Sequence, residues 1–250
     1  MTEFKYQPAG DAQLGELGRL SSTRREPGLI SATVRQVSAS LATAYLRAYH
    51  RLEIRGREHI PPEPPLVLVA NHASHLDALV LAAALPRALR ARVFPLAAGD
   101  TFFTGPVLAG LAALVLNALP VWRKRAGPHA LADLRERLLA SGFILFPEGT
   151  RTRTGEPGKF KPGVGMLVAG TGVPVVPCWI EGAFGALPAG ARLPRMRKLT
   201  LRLGAARRFE AVGNDRAGWE RIAAELEEAV RALREDETKG STPRQGSHRR

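Results

Sequence analysis

Residues 66–77 read Leu66-Val67-Leu68-Val69-Ala70-Asn71-His72-Ala73-Ser74-His75-Leu76-Asp77, and they indicate the class of fold. The first five residues are short, apolar and partly β-branched, which is typical of a strand buried on both faces of a parallel sheet. Polar residues follow, and the apolar run 78–85 then predicts a helix. A buried strand, a polar loop and a helix in this order begin a βαβ unit.

The same alternation continues along the chain. Short apolar runs predict further strands at Ala91 to Pro95, Leu119 to Trp122, Phe143 to Phe146 and Val173 to Ile180. Stretches between them predict helices, such as Ala130 to Leu139 and Gly163 to Ala169. With 250 residues, 45% of them hydrophobic, the chain is long enough for one full core. We therefore predict a single α/β domain with a mainly parallel central sheet flanked by helices.

An amphipathic helix is predicted before the first strand, because apolar residues recur at spacings of three and four from Ile30 to Leu52. Its stripe consists of Val34, Val37, Leu41, Tyr45, Ala48 and Leu52, with Arg35, Arg47 and Arg51 off the stripe. Such a helix either lies on an anionic membrane or packs on the protein's own core, and the pattern leaves both interpretations open.

Domain boundaries follow from these patterns. We expect a flexible segment over 1–28, an α/β domain over 29–236 that includes the amphipathic helix at 29–52, and a disordered basic tail over 237–250. A last helix with Trp219, Ile222, Ala223, Leu226, Val230 and Leu233 on one stripe closes the domain. The first residues lack the basic-then-apolar pattern of a secretory signal, so a cytoplasmic location is expected.

One apolar stretch has almost the length of a membrane span. No charged residue occurs from Thr101 to Trp122. Gly105-Pro106 and Pro120 interrupt it, however, and leave only Val107 to Leu119 as a continuous helix. The segment therefore predicts membrane contact without a crossing.

The net charge of +13 is unevenly distributed. The segment 187–208 contains no acidic residue but carries Arg192, Arg195, Arg197, Lys198, Arg202, Arg207 and Arg208. Basic clusters attract nucleic acid, anionic lipid or phosphorylated substrates, although charge alone favours a merely solubilising surface. The single cysteine, Cys178, excludes an intramolecular disulfide and a multi-cysteine zinc site, and its apolar setting predicts an inert core thiol.

The first candidate site follows the strand 66–70. His72 and Asp77 are five residues apart, so on one regular helix they would point about 140° away from each other, and only a turning loop brings them together. A carboxylate-held imidazole can act as a general base. A structural histidine beside a helix-capping Asp77 is the commoner explanation of such a pair. A metal held by His72, His75 and Asp77 is a third interpretation, which we disfavour because the other histidines lack ligand spacing.

The second candidate site is the strand end Phe146-Pro147-Glu148-Gly149-Thr150-Arg151. Gly149 permits unusual backbone angles, and the planar guanidinium of Arg151 suits a phosphate. A simple ion pair between Glu148 and Arg151 is the structural alternative. Both candidate sites follow strands of a predicted parallel sheet, whose carboxyl ends are where α/β proteins bind their ligands.

These two motifs resemble the glycerolipid acyltransferases related to 1-acylglycerol-3-phosphate acyltransferase. That family has an Asn-His-x-Ser-x-x-Asp motif, matched at Asn71 to Asp77, and a Phe-Pro-Glu-Gly-Thr-Arg motif, matched at Phe146 to Arg151. Leu119 to Arg123 and the Val-Pro-x-x-Pro run at Val173 to Pro177 resemble two further family motifs. The likeness covers roughly Leu29 to Gly204. Asn117, where the family usually has glycine, and Trp122, where it has a small or acidic residue, depart from it.

The resemblance implies acyl transfer from acyl-CoA or acyl carrier protein to a lysophospholipid, most simply 1-acylglycerol 3-phosphate. His72 is then the general base and Asp77 orients it. The residues implied in substrate binding are Asn71, Ser74, Arg123, Glu148, Gly149, Thr150, Arg151 and Lys161. No cofactor and no metal are expected.

Two alternatives remain open: an acceptor such as lyso-ornithine lipid, and a non-catalytic membrane-binding adaptor with the same fold. The expected partners are the lipid acceptor, the acyl donor and a membrane surface, without nucleic acid. The expected location is peripheral, on the cytoplasmic face of the membrane.

Overall fold

The computed structural model of the protein describes residues 29–98, 117–121, 128–191 and 193–240. Its strands are β1 (Glu53–Arg55), β2 (Leu66–Ala70), β3 (Val93–Ala98), β4 (Leu119–Val121), β5 (Gly142–Leu145), β6 (Val175–Glu181) and β7 (Thr200–Leu203). Its α-helices are α1 (Leu29–Tyr49), α2 (Asp77–Ala84), α3 (Arg87–Arg90), α4 (Pro128–Ala140), α5 (Gly163–Val168), α6 (Ala183–Ala186) and α7 (Arg216–Gly240). A 3₁₀ turn covers Arg57–His59.

The strands form one sheet in the order β1-β7-β6-β2-β5-β3-β4. Every neighbouring pair is parallel except β6 and β7. The predicted class, an α/β domain with a mainly parallel sheet, is therefore confirmed. All residues of the central strands β2 and β5 are buried, as their continuous apolar sequences predict.

The core consists of two layers, one on each face of the sheet. Along β2, Leu66, Leu68 and Ala70 pack into one layer with α2 and the end of α1. Val67 and Val69 pack into the other layer, which holds α4, α5 and α7. Because strand side chains alternate between faces, an all-apolar strand supplies both layers at once.

Two strands were not predicted, β1 and β7. Both are short and contain charged residues, namely Glu53 and Arg55 in β1 and Arg202 in β7. Sequence periodicity fails for such strands because their polar residues interrupt the apolar run. Arg202, counted as part of a basic surface, is in fact buried in β7, with its guanidinium 3.7 Å from the Glu181 carboxylate.

The amphipathic helix is present as α1, and the interpretation that it packs on the core is confirmed for its carboxyl-terminal part, whereas contact with a membrane stays a prediction. Tyr45 and Leu52 pack against the core, together with the fully buried Leu46. Val37 and Leu41, on the same stripe, are 53% and 66% exposed. The helix thus packs on the core through its carboxyl-terminal half and exposes the apolar side chains of Val37 and Leu41.

The closing helix α7 carries the predicted stripe, with Ile222, Ala223, Leu226 and Val230 buried in the core. It extends to Gly240, four residues beyond the predicted domain end at 236. The predictions for residues 1–28, for the rest of the tail and for most of 101–122 lie outside the described residues. None of the described helices is long and apolar enough to cross a membrane.

The contact between α5 and α7 depends on Gly165. A Cβ atom added there would lie 2.5 Å from both the Cα and the carbonyl oxygen of Trp219, both of them backbone atoms. We expect Gly165→Ala to lower the free energy of unfolding by about 1–3 kcal/mol, because the two helices must separate to admit the methyl group. Denaturant unfolding measures this difference.

Gly163 is the matched control in the same helix, since an added Cβ there would meet no atom within 4 Å. Gly163→Ala should leave stability unchanged or slightly higher. Equal losses from the two substitutions would show that the close approach of α5 to α7 is not the cause.

Candidate active site

The two sequence motifs meet because their strands are neighbours. β2 and β5 pair in parallel, and Val69 lies opposite Leu145, so both strands end at the same level. The loop after β2 and the loop after β5 therefore lie side by side at the carboxyl edge of the sheet, which is the edge where ligands bind in open α/β sheets.

His72 and Asp77 are in direct contact. The Nδ1 atom of His72 lies 2.9 Å from Oδ2 of Asp77. The same carboxylate oxygen accepts hydrogen bonds from the main-chain N–H groups of Ala73 at 2.7 Å and Ser74 at 2.8 Å. Asp77 is fully buried, whereas the His72 side chain is 21% exposed. The loop thus wraps around the carboxylate and presents the imidazole beside it.

The proposed capping role of Asp77 is wrong. Asp77 is the first residue of α2, the N-cap position is Leu76, and no side chain caps this end of the helix. The physical reason is that Oδ2 of Asp77 is already engaged by the loop that precedes the helix. The carboxylate holds the loop and the imidazole rather than the helix terminus.

The hydrogen bonds also fix the tautomer of His72. An ionised carboxylate oxygen can only accept, so Nδ1 of the ring carries the proton and Nε2 keeps its lone pair in the neutral state. The ring of Phe146 stacks on the imidazole, with 4.1 Å between centroids and 17° between planes. The imidazole is therefore fixed both in tautomer and in plane.

Glu148 connects the two loops. Its Oε1 atom accepts the main-chain N–H of His72 at 2.7 Å, and its Oε2 atom accepts the N–H of Gly158 at 2.8 Å. Burial raises the pKa of Glu148, whereas these two N–H donors act in the opposite direction. Both carboxylate oxygens are thus occupied by main-chain donors, and the anticipated ion pair between Glu148 and Arg151 is not formed.

Unlike the carboxylate of Glu148, the guanidinium of Arg151 has a nitrogen atom that is not paired within the described residues. Its Nη1 atom is buried and has no hydrogen-bond partner among the described residues. The residue lines a cleft of about 680 Å³ whose other lining residues include Thr150, Arg153 and Lys159. A buried guanidinium nitrogen without an acceptor is costly, so this side of the cleft is prepared for an anionic or acceptor-rich ligand.

Gly149 adopts a left-handed backbone with φ +75°, a conformation that favours glycine. Lys161 lies over this turn, with its ammonium nitrogen 2.7 Å from the position of a Cβ atom on Gly149. The structure thus brings together His72, Asp77, Glu148, Gly149, Thr150, Arg151 and Lys161. Arg123 lies outside the described residues.

Two residues implied in substrate binding have structural contacts. The Asn71 carboxamide exchanges two hydrogen bonds with the backbone of Ile180, at 3.0 and 2.8 Å, and so ties β2 to β6. Ser74 is fully buried, and its Oγ accepts the N–H of Leu76 at 3.1 Å. Both side chains make contacts within the protein, and their part in substrate binding stays a prediction.

A metal site receives no support from the described residues, which contain no group of three or more His, Cys, Asp or Glu side chains able to hold an ion. His75 lies near Arg151 and His72. Partial burial and the neighbouring Arg151 and His72 lower the pKa of His75, and the Asp77 carboxylate acts in the opposite direction.

Sequence reasoning missed several contributors to the site. The motif at Phe146 to Arg151 predicts no role for Phe146 itself, yet the Phe146 ring stacks on the imidazole of His72. Gly158 supplies one of the two donors to Glu148, and Arg153 and Lys159 line the cleft. The available signal was the polar run 150–159, whose length after a buried strand marks a loop large enough to form one wall of a cleft.

Comparison with known proteins identifies the chain's relatives. The family model described as Acyltransferase matches residues 51–181, about half of the chain. The chain belongs to the acyltransferase family. The matched range contains both loops of the site and ends with β6.

Among curated relatives, the chain is 36% identical over 131 residues to the human 1-acyl-sn-glycerol-3-phosphate acyltransferase alpha, covering 51% of this chain and 44% of that protein. It is 30% identical over 156 residues to the chloroplastic 1-acyl-sn-glycerol-3-phosphate acyltransferase BAT2 of Brassica napus, covering 60% and 43%. The chain therefore spans less than half the length of these relatives.

A solved structure is similar over most of the chain. The 1-acyl-sn-glycerophosphate (LPA) acyltransferase PlsC from Thermotoga maritima matches with a TM-score of 0.61 and 25% identity, covering 81% of this chain and 79% of that one. The likeness supports the α/β sheet arrangement described above.

The backbone conformation at Asn117 explains why asparagine can stand where the family usually has glycine. Its φ of +55° lies in the left-handed region, where glycine is preferred and asparagine is among the few alternatives. Its side-chain nitrogen donates to the carbonyl of Ala91 at 3.4 Å. The substitution therefore keeps the backbone shape that glycine would allow.

Cys178 should be chemically inert in the folded protein. It is fully buried in β6, and burial raises the pKa of its thiol well above the usual range. We expect no reaction with a thiol reagent under native conditions and full reaction after denaturation. A thiol titration with and without denaturant checks this. Rapid native labelling would contradict the described packing of β6.

Proposed function

We propose that the protein transfers a fatty acyl group from an acyl thioester to the hydroxyl of a lysophospholipid, with 1-acylglycerol 3-phosphate as the preferred acceptor. The observation that carries the proposal is the His72–Asp77 pair, held 2.9 Å apart beside a cleft lined by Arg151, whose buried Nη1 atom has no hydrogen-bond partner among the described residues. The acyltransferases to which the chain is similar support the class of acceptor.

In the proposed reaction, Nε2 of His72 takes the proton of the acceptor hydroxyl as its oxygen attacks the thioester carbon. The new C–O bond forms, the C–S bond breaks, and the thiolate takes the proton back from the imidazolium and leaves as a thiol. Asp77 stabilises the imidazolium through Nδ1. A thioester is already activated and thiolate is a good leaving group, so no covalent enzyme intermediate and no cofactor are required.

The donors to the developing oxyanion do not come from the most obvious amides. The N–H groups of His72, Ala73, Ser74 and Gly149 all donate to acceptors within the two loops. Stabilisation of the oxyanion is therefore assigned to other donors around the cleft.

We further propose a peripheral location on the cytoplasmic face of a membrane. The exposed Val37 and Leu41 on α1, with the exposed Arg47 on the same helix, support an interfacial helix that packs on the domain through its other face. The acyl donor, coenzyme A or acyl carrier protein, is expected to approach from solution.

His72→Ala should lower kcat by between about 10² and 10⁴, because it removes the general base while leaving the strand intact. Asp77→Asn should lose activity to a smaller extent. Product formation is measured by mass spectrometry with acyl-CoA or acyl carrier protein and with lysophosphatidate, glycerol 3-phosphate or lyso-ornithine lipid as acceptor. Thermal unfolding confirms that each variant folds.

A folded His72→Ala protein that keeps more than roughly a tenth of the activity would contradict the assigned role. Cys178→Ser serves as the control, since its thiol lies in the core, and it should remain active. If the wild-type protein acylates none of the acceptors with either donor, the adaptor alternative is favoured.

Arg151→Lys keeps the positive charge but loses the planar fork. Because a hydrogen bond to a charged group contributes about 1.5–3 kcal/mol, we expect the KM for a phosphate-bearing acceptor to rise roughly tenfold or more, with a partial loss of kcat and little change in the KM for the donor. Steady-state kinetics with acceptor and donor varied separately measure both constants.

Arg153→Lys is the matched control, because Arg153 lines the same cleft but is exposed. It should change the acceptor KM much less. A defect of Arg151→Lys confined to the donor KM would show that Arg151 binds the phosphates of the donor, and that the acceptor lies elsewhere.

A further inference from the structure

After α6, the segment between β6 and β7 continues as a largely exposed loop beside the cleft, residues 188–191 and 193–198. It starts at the carboxyl edge of the sheet, and because β7 runs antiparallel to β6, it also ends there. Ala189 of this loop lines the same cleft as Arg151. The loop is therefore adjacent to the candidate active site at one of its ends.

The middle of the loop exposes two large apolar side chains. Leu193 is 79% exposed and Met196 is 64% exposed. A single exposed leucine is ordinary on a protein surface, as Leu139 on α4 illustrates at 64%. Two such side chains within four residues, in one irregular segment, are less readily explained by chance exposure.

Basic residues flank these apolar side chains. Arg195 and Arg197 are exposed, and within the described part of the chain neither guanidinium has a hydrogen-bond or ion-pair partner. No acidic residue occurs anywhere from 187 to 208. Lys198 pairs with Glu53 at 2.8 Å, so the uncompensated charge lies at the two arginines next to Leu193 and Met196.

The loop is held in place despite its exposure. The N–H of Arg195 donates to the Ala186 carbonyl at 2.7 Å, and the Tyr49 hydroxyl donates to the Pro194 carbonyl at 3.3 Å. Nδ1 of the fully buried His50 lies 3.1 Å from the Arg197 carbonyl. Main-chain atoms make these contacts, which leaves the apolar and basic side chains available to a partner.

We propose that this loop, residues 188–191 and 193–198, docks the protein on an anionic phospholipid surface, with Leu193 and Met196 entering the headgroup region and Arg195 and Arg197 binding lipid phosphates. Alternating apolar and basic side chains without acidic neighbours match such a surface in both polarity and charge. The loop is anchored to α1, whose outward stripe is also apolar.

This inference rests on the proposed function, because the role of docking is to bring a lysolipid acceptor to the cleft. A lysolipid acceptor resides in the membrane. Because Ala189 of the docking loop lines the cleft, docking through this loop shortens the path of the acceptor from the bilayer to Arg151. Docking then determines access of a membrane-embedded acceptor, whereas an acceptor dissolved as monomers reaches the cleft without it.

The test is partitioning of the full chain onto vesicles of phosphatidylcholine with and without phosphatidylglycerol. The variants are Leu193→Ser/Met196→Ser, Arg195→Gln/Arg197→Gln, and Leu139→Ser as the matched exposed-leucine control. We expect the apolar pair to lower partitioning about tenfold or more. The arginine pair should lose about fivefold per arginine on phosphatidylglycerol vesicles only. The control should bind like wild type.

Equal binding of the Leu193→Ser/Met196→Ser protein and wild type overturns the proposal, as does a loss of the same size in Leu139→Ser. A loop variant that changes self-association in sedimentation, with vesicle binding unchanged, also overturns it and indicates a protein interface. Thermal unfolding checks that each variant is folded. We expect all of them to fold, because the substituted side chains are exposed.

An activity measurement separates this proposal from the proposed function. The loop variants should keep wild-type rates with a short-chain monomeric acceptor and lose rate with an acceptor embedded in vesicles. If wild type binds anionic vesicles through the loop but transfers no acyl group, the proposed function fails and the docking loop stands. If wild type is active and loop variants bind vesicles as wild type does, the docking proposal alone fails.

Discussion

The buried carboxylate of Glu148 is the constraint on which the site depends. It joins the amide of His72, at the end of β2, to the amide of Gly158, at the return of its own loop. Two further contacts join the same loops: the main-chain N–H of Thr152 donates to the His72 carbonyl at 2.9 Å, and the Phe146 ring stacks on the imidazole. Among these contacts, Glu148 is the side chain that links the backbone carrying the imidazole to the backbone forming one wall of the cleft. The geometry of His72 is thus set partly by a residue of a different motif.

Asp77 makes the complementary contribution from the other side. Three N–H donors converge on its Oδ2 atom, two from the loop and one from the ring. The loop from His72 to Asp77 is thus closed by the Asp77 side chain, which also holds the imidazole of His72. This explains how a spacing unsuited to a helix produces a direct contact.

The central strands and both site loops were predictable from sequence, because continuous apolar runs followed by polar residues have few structural alternatives. The pairing of His72 with Asp77 was predicted, but the capping role of Asp77 was not correct, since Asp77 lies inside the helix and Leu76 occupies the N-cap position. The backbone contacts of Asn71 with Ile180 in β6 and of Ser74 with Leu76 were not predictable, because periodicity does not identify which strands and turns meet. The strands β1 and β7 were missed because charged residues interrupt their apolar runs.

The antiparallel return of β7 has a consequence for the order in which the protein assembles during synthesis. Glu53 pairs with Thr200, so β1 has no partner until nearly the whole domain has left the ribosome, and β6 keeps an open edge until β7 follows it. Contacts between such distant residues form late because a large loop must close first. The nascent chain therefore has an unpaired strand edge to shield, and α1 gains its last anchor, the bond from Leu199 to His50, only at the end.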